Sequence, residues 1–411
     1  MKTYLEAGTV VTGDGTTYAD GAVLVDGREV VAVGPAEDVP DEGADRTHAL
    51  PGHTVMPGLI DAHTHLATSG SSDIVADELT RSTARKAVDA LKHARTTVEA
   101  GVTTVRDVGS AADVAQVVRD EVRAGEFPGP RVVACGQGLT ATGGHADLTP
   151  WHLDAAPEAM QGRVANGVAG VRTAVREQLQ RGADAVKVWA TGGVIDPEGE
   201  VDVVEYSQAE LDALVEEAGR HNAHVAAHAH PPGGIRACVE AGVRSIEHGM
   251  YIDEESAALM AEHGTYLVST LSVMERLATN PDVPEYYRTN ARAAIEHHTS
   301  MLPAVAEMGV PLAMGTDAGA PTYDHGGNAS ELVCLADAGL DAADVIEIAT
   351  RNTAELLEFD DLGVLEAGYR ADVIAVAGDP LDDVSVLADP ENVSLVTVDG
   401  AVRSEPSTDA A

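Results

Sequence analysis

Histidines, an aspartate and a lysine occur within or just after apolar runs of the sequence, close to where those runs end. His63 and His65 stand two residues apart at the end of the run 59–65. Because residues i and i+2 of a β-strand face the same side, both imidazoles are predicted to point the same way. Later runs end with the rest of the set, which comprises His228, His230, His248 and Asp317. Imidazole nitrogens together with a carboxylate are ligands that suit zinc and similar ions.

Lys187 lies inside the apolar run 185–190 of a chain that has only four lysines, the others being Lys2, Lys86 and Lys92. A buried ammonium is costly and cannot coordinate a cation. Burial beside metal ions favours the neutral amine, which can react with carbon dioxide to give an anionic carbamate that bridges two metals. An ion-paired or snorkelling lysine at a strand end is the alternative, and the local sequence does not decide between them.

A scaffold that collects strand ends on one side is needed to bring these residues together. Apolar runs of strand length alternate with longer amphipathic stretches, and the runs are 58–62, 102–106, 131–135, 184–190, 223–227, 243–247, 265–270 and 310–315. This alternation predicts an α/β fold, a (β/α)8 TIM barrel, whose active site is built at the carboxyl ends of the strands. We expect the barrel at 58–360. Short β-rich runs at both termini, 1–57 and 361–411, are expected to form one small β-sandwich domain.

The charge is the unusual feature of the composition, with 67 acidic against 26 basic side chains and a net charge of −41. Such a field repels phosphates and anionic membrane surfaces, so neither nucleic acid nor membrane is an expected partner. It favours a protein from a salt-in halophile, because molar salt shortens the Debye length to about 3 Å and removes the self-repulsion. An ordinary acidic protein is the alternative.

Targeting signals and cysteine pairs are missing from the sequence. No run of about 18 apolar residues and no signal-peptide pattern occurs, so we expect a cytoplasmic protein. The cysteines Cys135, Cys238 and Cys334 are far apart, which argues against a disulfide framework and against a thiolate metal site. We expect a small-molecule substrate and a homo-oligomer.

The run 55–65, Val-Met-Pro-Gly-Leu-Ile-Asp-Ala-His-Thr-His, resembles the opening signature of the amidohydrolase superfamily, and the run 368–374 resembles its C-terminal return. The resemblance covers nearly the whole chain. Within the superfamily, the runs 186–193, 228–230 and 245–249 are most similar to the branch of Xaa-Pro dipeptidases and imidazolonepropionase-like hydrolases. The resemblance implies a set of metal ligands, which are His63, His65, a carboxylated Lys187, His228, His248 and Asp317. Either histidine of the 228–230 pair can be the ligand; the resemblance favours His228, with His230 near the substrate.

The resemblance also implies a reaction, the hydrolysis of an amide bond in a dipeptide or an N-acyl amino acid. A hydroxide bridging two divalent ions, zinc by default, attacks the carbonyl. Asp317 is then the general acid and base, and His145, in the glycine-rich run 140–145, stabilises the tetrahedral intermediate. Tyr251 is a candidate contact for a substrate carboxylate, with a packing role as the alternative.

Two other functions compete with this prediction. A mononuclear cyclic-amide hydrolase or deaminase is the first, and Lys187 argues against it because single-metal members generally lack that bridging group. A scaffold that has lost its chemistry is the second, and the filled ligand positions argue against it.

Some runs depart from the family pattern or are predicted to lie outside the site. Thr353 stands where the family often has Pro or Ala, at a position expected to be structural. The run 230–234 is richer in proline than usual, which can reshape the pocket. The histidines of the helical stretches are expected to be solvated surface residues: His93, His221, His297 and His298.

Overall fold

The computed structural model describes residues 1–148, 160–196 and 200–405, which form strands β1–β17 and helices α1–α12. The strands are β1 Lys2–Val11, β2 Thr17–Asp26, β3 Glu29–Pro35, β4 Arg46–Pro57, β5 Leu59–Thr64, β6 Val102–Asp107, β7 Arg131–Ala134, β8 Gly138–Thr140, β9 Gly162–Val164, β10 Val186–Trp189, β11 Val225–Ala229, β12 Ser245–His248, β13 Tyr266–Val268, β14 Leu312–Ala313, β15 Val373–Ala377, β16 Val393–Val398 and β17 Ala401–Ser404. The helices are α1 Ile74–Thr80, α2 Thr83–Glu99, α3 Val114–Ala124, α4 Gly167–Gln180, α5 Gln208–Gly219, α6 Pro232–Ala241, α7 Glu254–His263, α8 Leu271–Thr279, α9 Glu285–Glu307, α10 Ser330–Asp337, α11 Ala342–Glu347 and α12 Thr353–Leu356, with a π-helical turn at Ile348–Asn352. In these residues no helix is both long and apolar enough to cross a membrane.

The predicted TIM barrel is confirmed, and each of the eight predicted runs overlaps a strand of its wall. Strands β5, β6 and β7 pair in parallel, and β8 and β10 to β14 form the parallel remainder. The third wall strand is broken, because β7 pairs with β6 whereas β8 pairs with β10. The ring closes where the backbone N–H of Ala62 donates to the carbonyl of Met314 at 2.8 Å. Helices cover the outside of the barrel, so both faces of each wall strand are buried. The strands therefore appear in the sequence as continuous apolar runs.

Helix ends follow the local sequence. Ser207 and Glu210 form a reciprocal capping box at the start of α5. Asp253 accepts a hydrogen bond from the backbone of Ser256 at the start of α7, and that helix stops at Gly264, whose φ of 65° is left-handed. Such caps satisfy backbone groups that a helix leaves unpaired, so short sequence signals fix where each barrel helix begins and ends.

The two chain ends combine in one seven-stranded sheet with the order β17-β16-β15-β4-β1-β2-β3, as predicted. Strand β15 pairs antiparallel with β4, so the C-terminal segment completes a sheet that the N-terminal segment starts. Only Gly58 separates the end of β4 from the first barrel strand, β5. The domain boundaries at 57/58 and 360/361 stay a prediction, and residues 406–411 lie outside the described residues.

An ion cluster joins the small domain to the end of the barrel where the strands begin, opposite their carboxyl ends. Arg131, at the start of β7, lies 2.5 Å from a carboxylate oxygen of Asp372 and 2.8 Å from one of Asp399. Asp372 is buried and also accepts the backbone N–H of Asp399 at 2.7 Å. Because every charge in the cluster has a partner, this contact fixes the barrel on the small domain without leaving a buried group unsatisfied.

The prediction that the helical histidines are solvated is wrong for His298 and right for His221. His298 is fully buried in α9, and its Nδ1 lies 3.2 Å from the carbonyl oxygen of Gly249. His93 and His297 are half-buried, and both contact backbone carbonyls. Helix periodicity shows which residues share a face of a helix. It does not show that another part of the chain, here the loop at Gly249, covers that face.

Candidate metal centre and active site

The carboxyl ends of the barrel strands bring the predicted ligands into one cluster. Along the chain the set comprises His63 in β5, His65 just after it, Lys187 in β10, His228 in β11, His248 at the end of β12 and Asp317 after β14. Ligand atoms of His63, His248 and Asp317 lie within 4.8 Å of one another, which fits one metal ion. The ring centroid of His63 lies 5.5 Å from that of His65 and 4.6 Å from that of His248. The geometry therefore gathers histidine and carboxylate donors around a centre.

Asp317 faces two of these imidazoles. Its Oδ1 lies 3.1 Å from Nε2 of His65 and 3.5 Å from Nε2 of His63. Burial alone would raise the pKa of Asp317, but its close contact with His65 and its electrostatic interactions with His63 and Lys187 hold it below its usual value. An anionic carboxylate beside ring nitrogens is able to bind a cation and to accept a proton.

Three imidazoles are oriented through the same ring nitrogen. Nδ1 of His63 lies 2.6 Å from Oε2 of Glu247, and Nδ1 of His65 donates to the carbonyl oxygen of Gly109 at 2.9 Å. Nδ1 of His248 lies 2.7 Å from the hydroxyl oxygen of Thr270. With Nδ1 engaged, Nε2 of each ring is left for a metal ion, which is the arrangement that outer partners impose on histidine ligands.

Glu247 and Arg106 form a buried ion pair beneath this cluster. A guanidinium nitrogen of Arg106 lies 2.8 Å from Oε1 of Glu247, and both side chains are fully buried. Burial would raise the pKa of Glu247, but Arg106 and His63 hold it well below its usual range. Ser245 donates to the same carboxylate at 2.5 Å. Glu247 is therefore a permanent anion that fixes the ring of His63 from below.

Lys187 is fully buried, and its Nζ has no hydrogen-bond partner among the described residues. Burial lowers the pKa of Lys187 to about 8. The ring of Trp189 lies 5.6 Å from Nζ. A buried amine without a partner is unfavourable as it stands, and this one lies among metal-ligand side chains. The orphan nitrogen fits the carbamate that the sequence suggests, and it does not fit an ion-paired lysine.

Both histidines of the 228–230 pair face the same centre. The ring of His228 lies 4.7 Å from that of His248, and the ring of His230 lies 5.2 Å from it. Nε2 of His228 bonds to the carbonyl of Gly192 at 3.2 Å, which leaves Nδ1 of that ring as its lone-pair donor. Nδ1 of His230 is buried without a hydrogen-bond partner. Burial lowers the pKa of His230 to about 3, so its ring is neutral.

Left-handed backbone conformations occur at this centre at residues that are not glycine. The φ angles are 70° at His248, 49° at Thr270 and 63° at Asp317. Such conformations cost on the order of 1–3 kcal/mol each and persist where the surroundings fix them. Two of the three are predicted ligands, and the third contacts a ligand, so the strain is located where side-chain direction matters most.

A cavity of about 350 Å³ opens above the cluster. Its floor carries His63, His65, His228, His248 and Asp317, and its side wall carries His145 and Asp196. The rest of the lining is largely apolar, with Ile74, Val75, Leu148, Val194, Ile195, Val273, Met274, Leu277, Tyr286 and Tyr287, and it also includes the polar residues Asp147, Gln161 and Glu200. No lysine or arginine lines it among the described residues. The cavity therefore offers ligands and proton acceptors at the bottom and an apolar surface at the mouth.

The predicted substrate residues divide at this cavity. His145 and His230 line it, whereas Tyr251 is not among the described residues that do. The ring of Tyr251 instead lies 5.8 Å from the ring of His297, beside the apolar cluster of α8 and α9. This position matches the packing alternative for Tyr251.

Sequence reasoning missed several residues that support the site. Nδ1 of His145 lies 2.8 Å from Oδ2 of Asp196, and the backbone N–H of His145 donates to Glu205 at 2.6 Å. Arg106, which holds Glu247, and Thr270, which holds His248, were also missed. No local signal identifies these partners, because each is 22 to 141 residues away from the residue it contacts. The one hint in the sequence was that Asp196 follows Gly193 by only three residues, in a glycine-rich loop.

The fold and the cluster define a TIM-barrel enzyme with a candidate metal centre of histidines and a carboxylate. The model of the Amidohydrolase family matches residues 54–403, and the chain belongs to that family. It is therefore a hydrolase of a family that is generally metal-dependent, and the resemblance of the run 55–65 is confirmed.

Three relatives illustrate the range of that family. Ochratoxinase of Aspergillus niger is 33% identical, and the match covers 98% of this chain and 87% of the relative. A crystal structure of a Xaa-Pro dipeptidase with bound methionine in its active site is 35% identical, with a TM-score of 0.88, over 98% of this chain and 99% of that one. Imidazolonepropionase of Halobacterium salinarum is 28% identical over 94% of this chain and 92% of the relative.

Proposed function

We propose that this protein is a two-metal hydrolase that cleaves the amide C–N bond of a dipeptide, Xaa-Pro-like, or of an N-acyl amino acid. The observation that carries the proposal is the buried Nζ of Lys187, which has no hydrogen-bond partner among the described residues and interacts electrostatically with the candidate ligands Asp317 and His63. A carbamate formed there from carbon dioxide replaces an orphan amine with two anionic oxygens. This group accounts for a buried lysine nitrogen that has no hydrogen-bond partner among the described residues.

The donor set fits two divalent ions. In this proposal the ligands are His63, His65, the carbamate of Lys187, His228, His248 and Asp317. Neutral imidazoles combined with carboxylate oxygens favour zinc. Burial lowers the pKa of His63 to about 4, which keeps that ring neutral and able to bind a metal. Similarity to Xaa-Pro dipeptidase and ochratoxinase supports the amide substrate.

The chain's own residues then divide the work of hydrolysis. When bound, the metal ions supply an activated water at neutral pH and polarise the scissile carbonyl. Asp317, anionic and facing the cavity, accepts the proton of the attacking water and passes it to the leaving amine. His145, on the side wall, donates a hydrogen bond to the carbonyl oxygen as negative charge develops there. His230 lies beside the reacting atoms and contacts the substrate.

The apolar wall indicates which part of a substrate points outward. Val273, Met274 and Leu277 of α8 face the cavity together with Tyr286 and Tyr287 of α9. Burying a large apolar side chain here contributes about 1.5–3 kcal/mol of binding energy. We propose that the preferred amides carry a bulky apolar group beside this wall.

A cyclic-amide hydrolase or deaminase is the second candidate, favoured by the similarity to imidazolonepropionase. Both candidates use the same cavity. They differ in whether the bond that breaks lies in a ring, and in whether Lys187 is needed. We also propose a homo-oligomeric, cytoplasmic, salt-adapted protein, on the basis of its composition and net charge of −41.

The decisive experiment measures amine release from dipeptides, N-acyl amino acids and cyclic amides in molar potassium chloride with zinc and bicarbonate. We expect turnover of Xaa-Pro or N-acyl substrates that chelation removes and added metal restores. Turnover of cyclic amides alone would establish the second candidate instead.

Metal analysis of single variants assigns the ligand of the histidine pair. We expect His228→Ala to lower the bound metal and His230→Ala to retain it while raising KM. The reverse pattern would make His230 the ligand.

A further inference from the structure

The loop after β10 places one carboxylate directly against the imidazole of His145. Oδ2 of Asp196 lies 2.8 Å from Nδ1 of His145, and both side chains are less than one-fifth exposed. The same carboxylate oxygen accepts the backbone N–H of Gly193 at 2.6 Å. The carboxylate of Asp196 is therefore held from two directions, by the backbone N–H of Gly193 and by the ring of His145.

The ring of His145 has little room to move. On one face it stacks on the ring of His228, with centroids 4.7 Å apart and planes inclined by 22°. On another side it meets Gly193, where an added Cβ would lie 2.2 Å from Cε1 of His145. Packing sets the plane of the ring, but packing alone does not decide which nitrogen carries the proton.

The rest of the loop is anchored so that Asp196 keeps its position. The side-chain amide of Asn290, on α9, donates to the carbonyl of Val194 at 3.0 Å and to that of Asp196 at 3.3 Å. Glu205 holds the other partner, because it accepts the backbone N–H of His145 at 2.6 Å. Both ends of the contact are therefore tied to separate parts of the barrel top.

We infer that Asp196 is the positioning residue for His145: its carboxylate accepts the hydrogen bond of Nδ1–H, pairs with the imidazolium form of the ring, and so aims Nε2–H at the substrate carbonyl oxygen as a donor. Asp196 does not touch the substrate in this role. It acts as a carboxylate does in other hydrolases, where the carboxylate accepts Nδ1–H of an imidazole, orients the ring and stabilises its imidazolium form. The inference rests on the proposed function for the role of His145, and on geometry for the contact itself.

The first test is a double-mutant cycle with Asp196→Asn and His145→Ala. We expect Asp196→Asn to lower kcat roughly 10- to 100-fold with KM and metal content nearly unchanged, as for other residues that orient catalytic imidazoles. In the His145→Ala background, which keeps measurable residual activity, the same substitution is expected to have no further effect. An equal loss in both backgrounds, or an unchanged kcat for Asp196→Asn, would overturn the inference.

The matched control is Asp202→Asn, which removes a charge from the same loop at an exposed position. We expect its kcat to equal that of the parent protein, so a loss in Asp196→Asn is not a general effect of charge.

A second measurement does not depend on turnover. Nitrogen-15 histidine spectra, with the His145 signals assigned by their loss in His145→Ala, are expected to show protons on both ring nitrogens in the parent and loss of the Nδ1 proton in Asp196→Ala. A proton on Nε2 alone in the parent would refute the inference even if amide hydrolysis is confirmed. If amide hydrolysis fails and Nδ1 is protonated, the contact stands and the proposed reaction does not.

Discussion

Two lysines of this chain are fully buried, Lys86 at the corner of α1 and α2 and Lys187 in the barrel wall. Nζ of Lys86 lies 3.0 Å from a carboxylate oxygen of Glu78 and donates to the carbonyl of the same residue at 3.0 Å. Nζ of Lys187 has no hydrogen-bond partner among the described residues. One lysine is neutralised by its own chain, and the other stands among metal-ligand side chains.

The difference separates a structural lysine from a functional one. Taking a charge out of water costs several kcal/mol, and a partner within the chain offsets that cost locally. Where the chain supplies no hydrogen-bond partner, something from outside can do so, and in the proposed function carbon dioxide with metal ions takes that role at Lys187. The comparison therefore makes opposite predictions for the same substitution at the two positions.

The largest effect is expected for Lys187→Met, which keeps the volume and removes the amine. Activity should fall at least ~100-fold and bound metal should decrease, because the bridging group is lost. The thermal midpoint should stay or rise, since no ion pair is broken. Assays with metal analysis and calorimetry check this. Parent-like turnover would exclude the carbamate.

Lys86→Met is expected to do the opposite. It leaves Glu78 buried without its cation, so the free energy of unfolding should fall by about 3 kcal/mol while bound metal stays at the parent level. Denaturant unfolding measures the loss. The double variant Lys86→Met/Glu78→Leu is the control, and it should recover most of the stability. If it does not, the pair is not what stabilises this corner.

A smaller effect is expected at Thr270, which touches a ligand and not the metal. Thr270→Val removes the oxygen that holds Nδ1 of His248 at 2.7 Å, and metal affinity should fall about 10-fold. Thr270→Ser keeps the oxygen and should bind metal as the parent does. Competition with a zinc indicator distinguishes the two. Equal affinities would show that packing alone orients His248.

The smallest effect concerns salt and the Lys86–Glu78 pair. At 1 M salt the Debye length is about 3 Å, so screening should stabilise this protein of net charge −41. A buried pair is screened little, so the deficit of Lys86→Met should change by less than about 0.5 kcal/mol between low and molar potassium chloride. Unfolding curves at both salt concentrations test this, and a deficit that disappears in salt would place the pair in contact with solvent.

The sequence predicted most of the scaffold because a barrel strand buried on both faces shows as a local apolar run. All eight predicted runs overlap wall strands, and the cluster forms where those strands end. Thr353 was expected to be structural, and it accepts the backbone N–H of Met314 at 2.9 Å. The break between β7 and β8 was not predicted, because a change of pairing partner has no periodicity of its own.

The supporting residues could not be predicted for a related reason. Asp196 and Glu205 meet His145 across two loops, and Arg106 meets Glu247 across the barrel. Such pairs depend on the closure of the ring, which no short window of sequence contains. Tyr251 shows the reverse case: its closeness to His248 in sequence suggested a substrate contact, and in the structure its ring lies beside His297 of α9, which fits the packing alternative.

The shared sheet of the two chain ends has a consequence for the order of events during synthesis. Strand β4 ends at Pro57, but its antiparallel neighbour β15 begins only at Val373. At ~5–20 residues per second, the ribosome needs roughly 15 to 60 s to bridge that interval. Until then β4 is an open edge, which invites pairing with other chains. Strand β15 thus covers the edge of a sheet whose first strands are made more than 300 residues earlier.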